Sequence, residues 1–296
     1  MATYNGARFL REQVESLLAQ TYQAIEIVAV DDCSSDETVA ILKEYATKYS
    51  NFKVEVNEQN LGPTKTIERG ISLSKGKFIT LCDQDDIWDA DKIAITLKEM
   101  KEGVTLAYCD SLFIDEAGKS LNRKISDLKN MASFDSAMPF LIGNCVAGHA
   151  AIFEKDFAMK AMPFPENIIH DWWLAYVATL QGRLAFVDKA LVLYRQHSNN
   201  VIGAIRVKGR AKKKEIDQNL IVRNRIKLFL EKCPESNKEV KDVLANLQKS
   251  YSSFSLTNNF ARMFAFFKHQ AGLLALKKRS PLRKWMFCIK MFFKII

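Results

Sequence analysis

The stretch Glu26-Ile27-Val28-Ala29-Val30 runs directly into Asp31-Asp32, and Asp36 follows four residues after Asp32. The apolar part reads as a strand. Ser35 is placed to cap a helix whose apolar side carries Val39, Leu42, Ala46 and Tyr49. The same grammar repeats outward. Phe52–Val56, Phe78–Cys82 and Val104–Tyr108 are further strand candidates. Leu10, Val14, Leu17 and Leu18 share one helical stripe, and Gly62-Pro63 opens a third helix with proline at its tolerated first position. Strand–helix alternation predicts an α/β fold, a mainly parallel sheet flanked by helices. In such a sheet the strand ends gather ligand sites on one edge.

From Leu112 to Ala151 the pattern loosens, as in an insertion or a loop region. A helix is expected over Trp172–Leu180, then apolar runs at Leu184–Val187 and Ala190–Tyr194, then a polar loop from Arg195 to Gly203. Beyond Ala204 the pattern is helical throughout, carried by Ile216, Leu220, Val222 and Ile226 and then by Val240, Val243, Leu244 and Leu247. Charge changes at the same place. Residues 204–296 hold 22 Lys and Arg against 6 Asp and Glu, so a net +9 chain divides into a −7 body and a +16 tail. Two regions are therefore expected, 1–203 and a basic helical 204–296.

Composition excludes several classes. Six cysteines with no CxxC pair make neither a disulfide framework nor a structural zinc cluster, and reduced thiols are expected. Met1 to Arg11 lacks the apolar core of a secretory signal. No run of 18 apolar residues is present to span a bilayer.

Two acidic clusters stand at strand exits: Asp31, Asp32 and Asp36, then Asp83, Asp85 and Asp86. Carboxylates held this close repel unless a cation or hydrogen-bond donors neutralise them. Oxygen donors with open positions suit Mg2+ or Mn2+, which keep water and bind substrate phosphates. An EF-hand is excluded, because Asp83-x-Asp85 continues into Ile87 without the glycine of the turn. Turn and cap aspartates are the competing explanation.

Four segments, Ala2-Thr3-Tyr4-Asn5-Gly6, Asp31–Thr38, Asn60-Leu61-Gly62 and Asp83-Gln84-Asp85-Asp86, resemble in order and spacing the family 2 inverting glycosyltransferases. The likeness covers roughly residues 1–203 and implies the nucleotide-diphospho-sugar-binding fold called GT-A. It implies that Thr3 and Tyr4 line a nucleobase pocket, with Asp32 accepting from the base. Asp83 would approach the ribose, and Asp85 would hold the metal bridging the diphosphate. Family members carry several aliphatic residues before the segment matching Met1-Ala2-Thr3, so the first strand is expected to be truncated here.

Inverting transfer needs a base to take the acceptor hydroxyl's proton. His170-Asp171-Trp172-Trp173 stands where the family places its acidic pair, which makes Asp171 the expected base and His170 a departure from the usual Glu. A helix N-cap is the alternative for Asp171. Trp172 is expected to stack on a sugar face, with at least one of the two tryptophans in the core. Tyr194-Arg195-Gln196-His197-Ser198-Asn199-Asn200 looks like the phosphate-side loop of bacterial rhamnosyltransferase-like members. Arg195 would clamp the diphosphate and His197 would reach the same cation. Asn144-Cys145-Val146-Ala147-Gly148-His149 resembles the acceptor-side loop, with His149 unusual there.

In the tail, Trp285, Cys288, Ile289, Phe292, Phe293 and Ile296 fall on one helical face, with Arg283, Lys290 and Lys294 opposite. This predicts an interfacial helix on an anionic membrane surface. Docking on its own domain is the rival, and nucleic acid is the weaker partner because no nucleic-acid motif is present. The expectation is thus a metal-dependent enzyme on the cytoplasmic face of the membrane. It would move rhamnose from dTDP-rhamnose onto a saccharide or lipid-linked acceptor in cell-surface polysaccharide synthesis. The rivals are a UDP-hexose-dependent transferase, a non-catalytic nucleotide-sugar-binding module, and a dinucleotide-binding oxidoreductase, the last lacking GxGxxG after its first strand.

Overall fold

The computed structural model describes residues 1–197 and 218–293. Its first part comprises β1 (Ala2–Thr3), α1 (Ala7–Leu18), β2 (Ile27–Asp31), α2 (Thr38–Lys48), β3 (Phe52–Val56) and α3 (Pro63–Leu73). The strands form a parallel sheet in the order β1-β2-β3, with Ala2 beside Val30 and Ile27 beside Phe52. All five residues of β2 are buried, as befits a strand with a partner on each side and helices above and below. α1 sends Leu10, Val14 and Leu17 into one apolar cluster with Ile27, Ala29 and Leu42. Ser35 does not cap α2. Asp36 accepts the Thr38 N–H at 2.9 Å, while Ser35 turns to Asn5 Oδ1. α3 starts at Pro63 as expected.

Next come β4 (Phe78–Thr80), β5 (Ile87–Trp88), α4 (Lys92–Lys98), β6 (Val104–Ile114), β7 (Ser120–Lys124), α5 (Ile125–Leu128), β8 (Ala151–Glu154), α6 (Lys155–Ala161), α7 (His170–Gln181) and β9 (Arg183–Arg195). They build a second sheet in the order β4-β8-β6-β9-β5, with β7 beside β6. Its β6–β9 pair is parallel, and β4, β5, β7 and β8 join antiparallel. Parallel pairing thus holds for the first sheet and the middle of the second, and short antiparallel strands complete the edges. Several of these, such as β5 and β8, are too short to announce themselves by alternation. The strand expected to reach Cys82 stops at Thr80, which leaves Leu81–Asp86 as loop. β9 fuses the two apolar runs into one strand by register shifts against Cys109, Asp110 and Ser111.

The rest is helical: α8 (Gln218–Lys232), α9 (Lys238–Ser250), α10 (Leu256–Lys268), α11 (Gln270–Leu273) and α12 (Pro281–Phe293). The division expected at residue 204, the Ser198–Gly203 loop and the positions Ile216, Lys294 and Ile296 lie outside the described residues. The helical region shares its core with the body: Val222, Ile226 and Phe229 of α8 cluster with Trp173 and Tyr176 of α7 and Leu106 of β6. The Tyr176 hydroxyl donates to the Phe229 carbonyl at 2.7 Å, and their rings stack at 4.0 Å. Among the described residues no helix is long and apolar enough to cross a membrane.

Candidate active site

The loop after β2 spends its carboxylates on itself. Asp31 accepts from the Thr3 hydroxyl (2.8 Å), the Ser34 N–H (2.8 Å) and the Ser34 hydroxyl (2.6 Å). Asp32 accepts from the Leu61 and Gly62 N–H groups, each at 2.8 Å, and from the Asn57 amide at 2.7 Å. Arg69 in turn holds Asn57 Oδ1 at 2.6 Å. Burial pushes the Asp32 carboxyl up, but these donors and the Thr66 hydroxyl outweigh it and hold it below the ordinary value. Gly62 makes this possible. Its φ of 83° is a left-handed conformation that turns the Asn60–Gly62 loop back onto Asp32. Asp36 ties α2 to α1 by accepting from Thr38 and from the Ala7 N–H. The first acidic cluster therefore does not meet the second around one ion. Its charge is neutralised by donors of the protein itself.

The loop after β4 differs. The Asp85 carboxylate meets His197 Nε2 at 2.7 Å. His149 Nδ1 lies 3.3 Å from Asp83 Oδ2 and 3.2 Å from Asp86 Oδ2, while its Nε2 meets the Ser111 hydroxyl at 3.0 Å. Asp86 is fully buried, takes the Arg195 N–H at 3.1 Å on Oδ1, and has no hydrogen bond of acceptable angle on Oδ2. Burial pushes Asp86 up to about 8, against the pull of His149. Burial, reinforced by the neighbouring Asp83, also raises Asp85. Asp83 goes the other way: burial opposes its charge, but His149 and His170 hold it below the ordinary value. Burial works to lower His149, but Asp86 and Asp83 raise it on balance.

Three carboxylates and two imidazoles, with a buried Asp86 oxygen that accepts no hydrogen bond, fit a hard divalent cation. Asp83, Asp86 and His149 can bring one donor atom each within 4.8 Å of one another. Asp85 and His197 form the adjoining pair. His197 lines the cavity with Asp83 and Asp85, whereas Asp86 lies behind its wall.

Across the cavity stands the start of α7. Asp171 Oδ1 accepts from the Asn144 amide at 3.0 Å, and burial raises its carboxyl above the ordinary range despite His170 and Lys129. A Cβ at Gly148 would come within 3.1 Å of His170 Nε2, so glycine is what lets the 144–149 loop close on α7. Trp172 lines the cavity, with its indole N–H on the Phe140 carbonyl at 2.6 Å. Trp173 is in the core, its indole N–H on the Ala161 carbonyl. Tyr4 is 49% exposed at the other end, latched to the acidic loop by two hydrogen bonds with Gln84.

One cavity of about 1250 Å³ takes in Thr3, Tyr4, Asp32, Asp83, Asp85, Asp171, Trp172 and His197. That exceeds the roughly 300–1,000 Å³ usual for one small ligand, so two substrates fit. Thr3 touches it from a buried position, with its hydroxyl already given to Asp31.

Arg195 is the departure. Expected to clamp a diphosphate, it is 1% exposed and does not line the cavity. Its guanidinium donates to the Asp85 and Glu116 carbonyls, each at 2.9 Å, pairs with Glu12 and lies over the Phe9 ring. It braces the 83–86 loop from behind, because β9 ends inside the protein and points this side chain inward. His149, Asn144, Ser111 and Gln84 are site residues that motif reading did not assign. The signal for His149 was its unusual presence in the acceptor-side loop.

The profile of the family described as Glycosyl transferase family 2 matches residues 1–158. The dTDP-rhamnosyl transferase RfbG of Shigella flexneri is 29% identical over 217 residues, covering 69% of this chain and 74% of the relative. An uncharacterized glycosyltransferase of Haemophilus influenzae is 26% identical over 318 residues, or 96% of this chain and 94% of the relative. Among solved structures, S. aureus TarS 1-349 in complex with UDP-GlcNAc superposes with a TM-score of 0.61 at 19% identity, covering 98% of this chain and 78% of that one. A mannosyltransferase from Pyrobaculum calidifontis, PcManGT, in complex with GDP-Man and Mn2+, gives 0.50 at 16% identity, covering 99% and 83%. The fold is GT-A.

Proposed function

Because the chain belongs to glycosyl transferase family 2, we propose that it moves rhamnose from dTDP-rhamnose to a hydroxyl of a saccharide or lipid-linked saccharide, inverting the anomeric carbon. The place of the reaction would be bacterial cell-surface polysaccharide synthesis. The observation that carries this reading is that Asp171 lines the same cavity as Asp83 and Asp85. A binding module needs no carboxylate opposite its phosphate site.

Asp171 takes the proton of the acceptor hydroxyl as that oxygen attacks the anomeric carbon, and the bond to the diphosphate oxygen breaks with its electron pair leaving on the nucleotide. Asn144 fixes one Asp171 oxygen, which orients the carboxylate before substrate arrives. Desolvation keeps Asp171 basic enough to accept. Asp85 and His197 would hold Mg2+ or Mn2+, which when bound neutralises charge on the departing diphosphate. Asp83 is braced by His149 beside them and faces the ribose end, while Tyr4 offers an exposed ring to the base. Asp32 lines the same cavity and would accept from the base.

RfbG supports rhamnose as the sugar. UDP- or GDP-linked hexoses are the second reading, favoured by the donors bound to TarS and PcManGT. A thermal-shift series of nucleotide-sugars with Mn2+ separates them, since a donor that binds only the folded state raises the melting point. Asp171→Asn should then cut transfer by about 10²–10⁴-fold while metal-dependent nucleotide binding persists. Transfer at full rate in that variant would remove Asp171 from the mechanism.

A further inference from the structure

From Tyr251 to Ile296 the chain carries nine Lys and Arg and no Asp or Glu. α12 docks on the protein through Phe287, Cys288 and Met291, all buried. Arg262 Nε donates to the Met291 carbonyl at 2.7 Å, and the Gln270 amide to Cys288 Sγ at 3.2 Å. The apolar face expected from the sequence is therefore divided, because Cys288 belongs to the docked side. Trp285 and Phe293 of that face remain outside, together with Phe264. Trp285 is 51% exposed, Phe264 60% and Phe293 71%. Ring contacts join the two helices into one aromatic strip: Phe264 to Phe260 at 6.3 Å, Phe260 to Phe292 at 4.9 Å and Phe292 to Phe293 at 4.8 Å. Exposed Leu256 and Leu282 lie on the same two helices.

Cations gather beside the N-terminal half of α12. Lys277 and Arg279 both lie over the ring of Phe287, on the docked side, at 5.4 and 5.1 Å. Lys278, Arg283, Lys284 and Lys290 stand nearby in sequence, and among the described residues none of these six has a carboxylate within ion-pair distance. Lys277 also bridges to Lys129 through the backbone. Lys129 Nζ donates to the Asn144 carbonyl at 2.6 Å, and Asn144 is the residue that orients Asp171. The basic aromatic face is thus connected to the acceptor end of the cavity.

We propose that the α10–α12 face lies on an anionic lipid bilayer, with the aromatic strip in the interface and the Lys277–Arg279 cluster among the headgroups. Charge complementarity selects this occupant. A second copy of the chain would bring two such cationic faces together without a single acidic partner from residues 251–296. Aromatic rings beside unpaired cations are the composition that partitions to a bilayer boundary. On this arrangement the acceptor end of the cavity sits at the headgroup layer, where a lipid-linked saccharide presents its sugar. That last step rests on the function proposed above, whereas lipid contact does not.

The test is flotation of the full chain with vesicles of phosphatidylcholine alone or mixed with phosphatidylglycerol. The wild type should float with the anionic vesicles and stay behind with the neutral ones. Lys278→Glu with Arg279→Glu should lower vesicle affinity at least about tenfold, since each cation contributes about fivefold. Phe264→Ser with Trp285→Ser should do the same at unchanged melting temperature and unchanged donor-induced thermal shift. The proposal is overturned if the wild type fails to float, if it floats equally with both vesicles, or if either double variant floats like the wild type. It is also overturned if light scattering finds a dimer that Phe264→Ser with Trp285→Ser dissociates. Flotation that persists without any nucleotide-sugar binding would defeat the function proposed above and leave this surface standing.

Discussion

The two acidic loops begin alike, as carboxylates at the exits of β2 and β4, and end opposite. After β2, six donor groups of the protein reach Asp31 and Asp32. After β4, imidazoles face Asp83, Asp85 and Asp86, and a buried oxygen of Asp86 is left without a hydrogen bond. The first loop is finished by the fold. The second would be completed by a bound cation. A cluster of aspartates is read correctly only when its donors are counted, because hydrogen bonds and a cation answer the same repulsion.

Substitution should separate the loops in opposite columns. Asp85→Ala should lower kcat/KM by about 10³-fold and erase the Mn2+-dependent thermal shift while the melting point without metal holds or rises. A fall in the metal-free melting point would make Asp85 structural, like Asp32. Asp32→Ala should lower the metal-free melting point. It strands the N–H groups of Leu61 and Gly62 and should cost about 3 kcal/mol in denaturant unfolding. If Asp32→Ala unfolds like the wild type, the first loop is not held from within.

Gly62→Ala is a smaller probe of the same loop. Its φ of 83° should make the change cost about 1–2 kcal/mol, and unchanged stability would mean that the loop can relax away from Asp32.

Acidification sharpens the comparison most gently. Asp32 is held below its ordinary value, so the stability it contributes is complete above the ordinary carboxylate range and is lost as pH falls through the folded value. Asp171 is raised, so its ionisation opposes folding, and that penalty is relieved as pH falls through its folded value. With Asp171 as the proposed base, transfer should decline first, with an acid limb in kcat/KM above about pH 4 where the melting temperature is still flat. Limbs that coincide would report loss of the fold instead of titration of the base.

Much of this is legible in the sequence. β2, β3, α1, α3 and α7 stand close to where apolar spacing, proline and flanking loops place them, since each buries its own stripe or run. Tyr4, Asp83, Asp85 and His197, in the segments that follow β1, β4 and β9, line one cavity with Asp171 at the start of α7. The antiparallel edges of the second sheet were not legible, because two- to five-residue strands carry too few side chains to show a period of two. Ser35 was misplaced as the cap of α2 for a similar reason: its side chain turns to Asn5, while Asp36 accepts the Thr38 N–H.

Residue type and order settled the α/β alternation, the acidic exits, the family and the basic helical tail, since those depend on local periodicity and short motifs. Tertiary structure alone decided what each charge meets. It turned Arg195 inward to brace a loop, brought His149 between Asp83 and Asp86, and sent Cys288 to the inside of α12 while Phe264 and Trp285 stayed out. Such outcomes hang on contacts between residues as far apart as 183 positions. A side chain's partner across that distance is fixed by how whole elements pack, which no local stretch of sequence contains.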